Sequence, residues 1–213
     1  MSNRNVAYAV LLIVAILIAV TFFYLWATSR PPGEHSAEAG FARDMVVHHA
    51  QAVEMASIIE GKTNDPEVRS LAADITLTQQ AQIGQMQGWL DVWNLSPTGT
   101  GESMAWMGHP TDGPMPGMAT PEEIERLGEL PPDRADDLFL RLMIPHHEAA
   151  IPMAQAAMER SDDPVVDTFA EKVVASQRVE VKNMQQMLEE MGAPPAKEDP
   201  SMNGMDMEHG HGG

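Results

Sequence analysis

The sequence predicts an all-α protein, a four-helix bundle made of two repeated helical hairpins and preceded by one transmembrane helix. Three observations predict it: an uncharged apolar run near the N-terminus, an ungapped internal repeat, and helix-type spacing of apolar residues within each copy. Residues 1–30 form the predicted anchor, residues 31–195 the bundle, and residues 196–213 a flexible tail rich in methionine and histidine. Within the bundle, repeats at 41–97 and 139–195 flank a connector at 98–133.

The apolar run from Val6 to Ala27 contains no charged residue. As a helix it would be roughly 33 Å long, enough to cross the hydrocarbon core of a bilayer. Tyr24 and Trp26 lie near one end, where interfacial aromatic residues are common. A cleaved signal peptide is the alternative, but its apolar region is usually shorter and Tyr-Leu-Trp-Ala-Thr-Ser is a poor cleavage site. We expect a single-pass anchor in the cell membrane, with the acidic remainder of the chain on the extracytoplasmic (periplasmic or extracellular) side.

Charge and composition limit the classes of partner. The chain has 13 Lys and Arg against 31 Asp and Glu, a formal net charge of −18, so it would repel a phosphate backbone and nucleic acid is not an expected partner. It has no cysteine, which excludes thiolate metal sites, iron–sulfur clusters and disulfides. Methionine is abundant, with 17 copies. Soft-metal binding would therefore have to use thioether sulfur and imidazole nitrogen.

An internal repeat organises the chain from residue 41 onward. Residues 41–97 align without a gap with residues 139–195, so each residue of the first copy matches the one 98 positions later. The first copy opens FARDMVVHHAQAVEMA and the second opens FLRLMIPHHEAAIPMA. Chance does not give ungapped agreement over this length, and we infer a duplication.

Each copy predicts a helical hairpin. The first predicts helices over 37–60 and about 66–94, and the second predicts helices over about 134–160 and 164–191, with Gly61 and Gly192 as glycine terminators. An Asp-Pro dipeptide precedes each second helix and supplies an N-cap carboxylate and a proline at the first helical position. The short intervening loops force each pair of helices to be antiparallel.

Two prolines interrupt the pattern of the third bundle helix. Pro145 and Pro152 each remove a backbone donor and crowd the preceding turn. We therefore expect a kink or a local widening beside His146 and His147.

On a helical wheel, one face of the first helix in each copy carries two imidazoles and two thioethers around a small alanine. Imidazole with thioether suits Cu(I), imidazole also suits Cu(II), and Ag(I) should behave like Cu(I). The structural alternative is that these methionines pack and these histidines are hydrogen-bonded core residues. The presence of the same set in both copies favours metal binding. The predicted ligands are Met45, His48, His49 and Met55 in the first copy and Met143, His146, His147 and Met153 in the second.

Two further segments carry methionine and histidine. The connector sequence MAWMGHPTDGPMPGM is rich in glycine and proline, and we expect such a loop to have little core to fill. The tail MNGMDMEHGHGG has the composition of a flexible metal-binding end, with a disordered solubilising end as the alternative. Thr120 and Glu123 predict a capping box and a short helix after the loop. The additional candidate ligands are Met104, Met107, His109, Met115 and Met118 in the connector and Met205, Met207, His209 and His211 in the tail.

The motif F-x-x-x-M-x-x-H-H-x-x-A-x-x-M-A, present twice, resembles that of the DUF305 family. The resemblance covers both repeats and implies a ferritin-like four-helix bundle in an extracytoplasmic protein. Some members look like copper-binding proteins of copper resistance. This resemblance implies that the motif histidines and methionines are the metal-binding positions of this sequence. The first copy departs from the M-I-P-H-H form of the second, with Val46 and Val47 before its histidines.

The predicted function is binding, sequestration or delivery of copper, or of silver or another soft transition metal, by a membrane-anchored protein that exchanges ions with metal-transfer partners. A non-catalytic structural or interaction domain is the alternative. We expect no enzyme: a ferritin-like di-metal oxidoreductase needs matched carboxylates, whereas Asp44 aligns with Leu142 and Glu54 with Pro152. The oligomeric state is left open.

Overall fold

The computed structural model describes residues 3–28 and 31–192, and within these residues it contains helices and no strand. The predicted ligands of the tail, Met205, Met207, His209 and His211, lie outside the described residues. The helices are α1 (Asn3–Thr28), α2 (Ala37–Glu60), α3 (Pro66–Val92), α4 (Pro121–Glu129), α5 (Pro132–Arg160) and α6 (Pro164–Glu190), and a short 3-10 turn spans Ala105–Met107.

Helix α1 belongs to a unit of its own, which ends at Pro32, and the remaining helices belong to a second unit that begins at Gly33. Large apolar side chains of α1 are exposed, among them Leu11, Leu17 and Phe22. Across the described residues, no helix combines the length and hydropathy needed to span a membrane, so the predicted transmembrane helix is not confirmed.

The second unit is the predicted all-helical bundle, and the repeat is visible in its helix ends. Helix α3 spans residues 66–92 and α6 spans 164–190, the same bounds moved by 98 positions. The Asp65 carboxylate accepts hydrogen bonds from the backbone N–H groups of Glu67 and Val68, and the Asp163 carboxylate accepts one from that of Val165. Both caps precede a proline at the start of the helix, as predicted.

Both predicted glycines follow the ends of their helices, in different backbone conformations. Gly192 follows α6 with φ of 69°, the left-handed conformation that glycine adopts easily. Gly61 follows the last residue of α2, as predicted, and has φ of −72°. The chain leaves α2 through a right-handed turn in which the N–H groups of Lys62 and Thr63 both donate to the Ile59 carbonyl.

Helix α5 remains α-helical through Pro145 and Pro152, so the expected widening is not seen. The two prolines are seven residues apart, about two helical turns, and therefore lie on the same side of α5. Both are half-buried. A proline removes one hydrogen bond from its own turn, and packing on that side is compatible with an unbroken helix.

The core consists of two separate apolar clusters. The first joins the N-terminal half of α2 to the C-terminal half of α5, and the second joins the opposite halves. Helices α2 and α5 therefore run antiparallel across each other, with the two hairpins related as the repeat requires. The first cluster includes Phe41, Met45, Met86, Met153 and Phe169, and the second includes Met55, Ile75, Phe139, Met143 and Met184.

The connector folds onto α2 and completes the first cluster. Asp44 accepts hydrogen bonds from the backbone N–H of Met104 and from Trp106 Nε1, both at 2.8 Å. Trp106 lies directly over Gly40, where a Cβ atom would come within 2.4 Å of the indole. Further along, Gln51 exchanges two hydrogen bonds with the backbone of Ala119. The expectation that this loop has little core to fill is therefore wrong.

Helix α4 follows the connector and begins as predicted. The Thr120 hydroxyl accepts from the Glu123 N–H, and the Glu123 carboxylate accepts from the Thr120 N–H. This reciprocal capping box, with Pro121 at the first helical position, starts a short helix whose Leu127 is buried in the second cluster.

Candidate metal centre

The four histidines of the doubled motif lie buried in the interior of the bundle. Their side chains come from the middle of α2 and the middle of α5, between the residues of those helices that supply the two apolar clusters. The rings of His48 and His146 are in contact, with centroids 3.8 Å apart, and the rings of His146 and His147 are 6.1 Å apart. The structure therefore brings the doubled motif together at the crossing of α2 and α5.

Three of these imidazoles share one hydrogen-bonding pattern. His48 Nε2 lies 3.2 Å from the Pro116 carbonyl oxygen, and His146 Nε2 lies 3.0 Å from the His48 carbonyl oxygen. His147 Nε2 lies 2.7 Å from Glu180 Oε2. Carbonyl and carboxylate oxygens only accept hydrogen bonds, so in each ring Nε2 carries the proton and donates it.

The other nitrogen of each ring is consequently a lone-pair acceptor in the neutral imidazole. The Nδ1 atoms of His48, His146 and His147 are buried and have no hydrogen-bond partner among the described residues. A histidine that binds metal typically donates its second N–H to a carboxylate or a carbonyl and presents the remaining nitrogen to the ion. The three rings have this pattern, and their unpartnered Nδ1 atoms fit the role of ligands.

His49 differs from the other three. Both of its ring nitrogens are buried without a hydrogen bond. The side chain of Gln82 acts on the pKa of His49 and raises it slightly against the larger effect of burial, and Gln82 Oε1 is itself buried without a partner. No hydrogen bond therefore fixes the proton of His49 on one nitrogen.

Burial keeps the imidazoles of His48, His49 and His146 neutral. Desolvation lowers the pKa of His48 to about 4 and that of His49 to about 3, and the neighbouring histidines contribute in the same direction. The pKa of His146 is also lowered well below its usual value, mainly by burial. Neutral imidazole is the form that coordinates metal, so protons do not compete for these nitrogens at neutral pH.

The predicted thioethers are completely buried. Met45 lies one helical turn from His48 and His49, and Met143 lies one turn from His146 and His147, so each sulfur-bearing side chain neighbours imidazoles on its own helix. Met55 lies about two helical turns after His48, and Met153 about two turns after His146. Met45 and Met153 belong to the first apolar cluster, while Met55 and Met143 belong to the second. Thioethers are thus present in both clusters, and they also fill the core.

The connector candidates divide into two groups. Met104, Met107 and Met115 are buried in the first cluster together with Met45 and Met153, and Met118 packs against that cluster half-buried. His109 is exposed on the outside of the connector. The structure therefore brings the connector methionines to one end of the bundle core and leaves His109 apart from it.

Histidines and carboxylates by themselves do not form a metal site in the described residues, so a site at the doubled motif would need the thioethers as well. Over residues 3–28 and 31–192, no group of three or more histidine, aspartate or glutamate side chains is arranged to hold an ion. Asp44 is occupied by the connector, and burial raises its pKa. Asp136 accepts a hydrogen bond from the Thr63 hydroxyl, and burial raises its pKa as well.

Sequence reasoning missed the polar residues of the second helices. Gln79 and Gln177 are buried, and Gln79 Nε2, Gln79 Oε1 and Gln177 Oε1 have no hydrogen-bond partner among the described residues. Glu180 pairs with His147, and Gln82 occupies the matching position of the first copy. A polar residue repeated at an otherwise apolar face was the signal available in the sequence.

A family model for DUF305, described as a domain of unknown function, matches residues 38–188. The chain belongs to the DUF305 family. Crystal structures of two other members are similar to it. A Streptomyces coelicolor protein, provisionally described as secreted, is 44% identical with a TM-score of 0.74, and the match covers 78% of this chain and 99% of that one. A Deinococcus radiodurans DUF305 fragment is 34% identical with a TM-score of 0.63, over 72% and 96% of the two chains.

The DUF305 chain is also similar to CopM, whose solved structures include Cu(I)-bound, Cu(II)-bound, Ag-bound and apo forms. The Cu(I)-bound structure is 26% identical with a TM-score of 0.55, and the match covers 73% of this chain and 96% of CopM. A curated relative, an uncharacterized protein of Acanthamoeba polyphaga mimivirus, is 37% identical over 51 residues, and the matched part spans about a third of its length (34%) and 24% of this chain.

Proposed function

We propose that this protein binds copper, as Cu(I) or Cu(II), and silver in the same site, through the buried imidazoles and the thioethers beside them. The observation that carries the proposal is the hydrogen bonding of His48, His146 and His147. Each donates Nε2–H to an oxygen and leaves Nδ1 buried and unpartnered. An unpartnered buried nitrogen is unfavourable in the metal-free protein, and a bound ion would satisfy it.

The chemistry of the donors supports a soft ion. Imidazole and thioether are the ligands that Cu(I) accepts, whereas calcium and magnesium require oxygen. The similarity to CopM, which is solved with Cu(I), Cu(II) and Ag, points to the same class of ion. We propose sequestration or delivery of the ion rather than catalysis, with a metal-transfer protein as the partner in delivery.

We further propose that the bundle is extracytoplasmic and tethered to the cell membrane by α1. The support is the uncharged run from Val6 to Ala27 and the exposure of the large apolar side chains of α1. The Streptomyces coelicolor relative, provisionally described as secreted, supports the same side of the membrane. Carbonate extraction and protease protection of the full-length protein in cells would test this tether and its side.

A structural role for the histidines is the second candidate, and one observation favours it. Contacts from His146 to the His48 carbonyl and from His147 to Glu180 join α2 to α5 and α5 to α6. Buried polar contacts of this kind can specify how helices pair, without any ligand.

The test is anaerobic loading of the full-length protein with Cu(I), followed by desalting and elemental analysis. Because the tail carries its own methionines and histidines, the protein is compared with a variant in which Met205, Met207, His209 and His211 are replaced by Leu or Asn. We expect this tail variant to retain at least stoichiometric copper. Adding H146N and H147N should then remove it while the helical circular dichroism is kept.

The matched control is H35N with H109N, which changes two exposed histidines of the same chain. These replacements should leave copper retention unchanged. If the tail variant keeps only trace copper, the bundle is not a metal site. If H146N and H147N lower the thermal stability and leave copper bound, the structural role is correct.

A further inference from the structure

The two copies contribute equivalent residue positions to the candidate centre, but one of these positions carries a different charge in each copy. His49 and His147 are equivalent residues of the two copies, and so are Gln82 and Glu180. Each histidine is therefore paired with the side chain that lies 33 residues further along its own hairpin. In the second copy that side chain is a carboxylate, and in the first it is a neutral amide of nearly the same shape.

The contact in the second copy is short and largely buried. His147 Nε2 and Glu180 Oε2 are 2.7 Å apart, with the His147 side chain 0% exposed and the Glu180 side chain 19% exposed. A carboxylate cannot donate, so it holds the proton of His147 on Nε2. An amide can either donate or accept, so Gln82 does not impose one tautomer on His49. His147 is thus fixed in one tautomer by its partner and His49 is not.

Charge balance follows from the same pair. The thioethers of the centre carry no charge and burial keeps the imidazoles of His48, His49 and His146 neutral, and a cation in such surroundings is poorly stabilised unless a negative charge lies close by. Asp44 and Asp136 are engaged by the connector and by Thr63. The carboxylate of Glu180 is in direct contact with a motif histidine, His147. One carboxylate offsets the charge of a monovalent ion and leaves a divalent ion with an excess positive charge.

Building on the proposed copper binding, we propose that Glu180 is a positioning residue that makes His147 the stronger ligand and makes the centre prefer monovalent over divalent ions. Gln82, at the equivalent position, leaves the first half weaker. Loss of a carboxylate behind a ligating histidine typically lowers metal affinity by about 10–100-fold. We expect E180Q to lower affinity for Ag(I) by that amount without changing the number of ions bound.

The substitutions E180Q and Q82E form a charge series at nearly constant shape. The carboxylates behind the two histidines number zero in E180Q, one in the unchanged protein and two in Q82E. The double variant Q82E/E180Q restores one carboxylate and moves it to the first copy. Ag(I) and Zn(II) are suitable redox-inert probes of each charge, measured by calorimetry on full-length protein in which the tail ligands have been replaced. Circular dichroism and thermal unfolding monitor the fold of every variant.

The preference for Zn(II) over Ag(I) should rise from E180Q to the unchanged protein and again to Q82E. In the double variant Q82E/E180Q, this preference should be close to that of the unchanged protein. An equal ratio of affinities in all four proteins would overturn the inference. If the unchanged protein takes up Ag(I) in that experiment, the proposed function stands although the inference fails. If the protein takes up neither ion, the proposed function itself fails.

Nitrogen NMR of the histidine rings provides a readout that needs no metal. In the unchanged protein His147 should be a single Nε2–H tautomer, and E180Q should convert it to a mixture. Q82E should fix His49 in one tautomer, which tests the same idea in a variant that keeps the His147 contact. A His147 tautomer that does not respond to E180Q would overturn the positioning role, whatever the metal measurements give.

Discussion

The imidazole rings of His48 and His146 lie against each other where α2 crosses α5, with centroids 3.8 Å apart and planes inclined by 32°. Two protonated rings could not remain in such a contact inside a protein, because both would carry positive charge without solvent. The contact therefore requires neutral rings, in agreement with the pKa of about 4 for His48 and the lowered pKa of His146. The contact joins equivalent residues of the two copies, holds α2 against α5 and requires that both rings be neutral.

Replacing the motif methionines by leucine should separate coordination from packing. In M45L with M143L the volume changes little, so the free energy of unfolding should fall by less than about 1.5 kcal/mol. Cu(I) affinity should fall by at least about tenfold, since leucine offers no ligand. Competition with a chromophoric Cu(I) chelator measures the affinity. The control is M86L with M184L, a pair equally buried and equally repeated on the second helices. Equal losses in both pairs would contradict ligation by Met45 and Met143.

Acid should destabilise the metal-free protein in a defined pH range. The pKa of His48 is lowered to about 4 and that of His49 to about 3 by burial, while the unfolded chain takes up protons near pH 6.5. Their stabilisation is complete above pH 6.5 and is lost as the pH falls, at about 1.4 kcal/mol per pH unit for each histidine. Urea unfolding from pH 7.5 to pH 4 measures this slope.

Asp44 and Asp136 oppose this trend at the acidic end, because burial raises the pKa of each carboxyl group. A carboxyl group with a raised pKa stabilises the folded protein at low pH, and this stabilisation is lost as the pH rises through the raised pKa. The histidine slope should therefore be clearest between pH 6.5 and pH 5. A free energy of unfolding that stays constant over that range would contradict the burial of neutral imidazoles.

His49 should be replaceable by leucine with a gain in stability. Both of its ring nitrogens are buried without a hydrogen bond, and an unsatisfied buried polar group costs about 1–3 kcal/mol. We expect H49L to raise the free energy of unfolding by about 1 kcal/mol, to reduce the acid sensitivity, and to weaken copper binding. Chemical denaturation and Cu(I) competition on the same preparation check both effects. A loss of stability would show that His49 has a structural partner.

The contact between the connector and α5 should not tolerate a side chain at Gly117. This glycine has φ of 73°, and a Cβ atom would lie 2.4 Å from the Pro145 carbonyl oxygen and 2.7 Å from Ala149 Cβ. We expect G117A to destabilise the protein by about 1–3 kcal/mol, because the strained backbone and the clash act together. Thermal unfolding followed by circular dichroism measures the loss.

The control for G117A is G84A, in the interior of α3, where a Cβ atom would meet nothing within 4 Å. Alanine is the better helix former, so G84A should stabilise the protein by about 0.5–1 kcal/mol. A G117A protein as stable as G84A would mean that the connector does not pack closely over Pro145 and His146.

The repeat allowed the helix bounds to be predicted, since residues 66–92 and 164–190 obey the same local rules. The connector could not be predicted in the same way. Its glycines and prolines suggest an open loop, whereas its packing depends on Asp44, a residue distant in sequence, which holds Met104 and Trp106. Met104 even adopts a left-handed backbone with φ of 65°, which local propensity disfavours for any residue except glycine.

The candidate site was predictable in its ligand types and not in its supporting groups. The sequence indicates the imidazole ligands because adjacent histidine pairs occur in a repeated motif, at His48, His49, His146 and His147. The oxygen atoms that orient three of these rings come from elsewhere: the carbonyl groups of Pro116 and His48 and the carboxylate of Glu180. Backbone carbonyls have no sequence signature, and one glutamate among 31 acidic residues has no distinguishing mark until its partner is known.

A duplicated chain has two of every element except the segment that joins the copies. Here that joining segment binds along one stripe of α2, at Asp44, His48 and Gln51, where the other copy has Leu142, His146 and Ala149. The two hairpins are therefore not strictly equivalent, because the connector makes these contacts with only one of them. The equivalent histidines of the two copies therefore have unlike neighbours, the Pro116 carbonyl for His48 and the His48 carbonyl for His146.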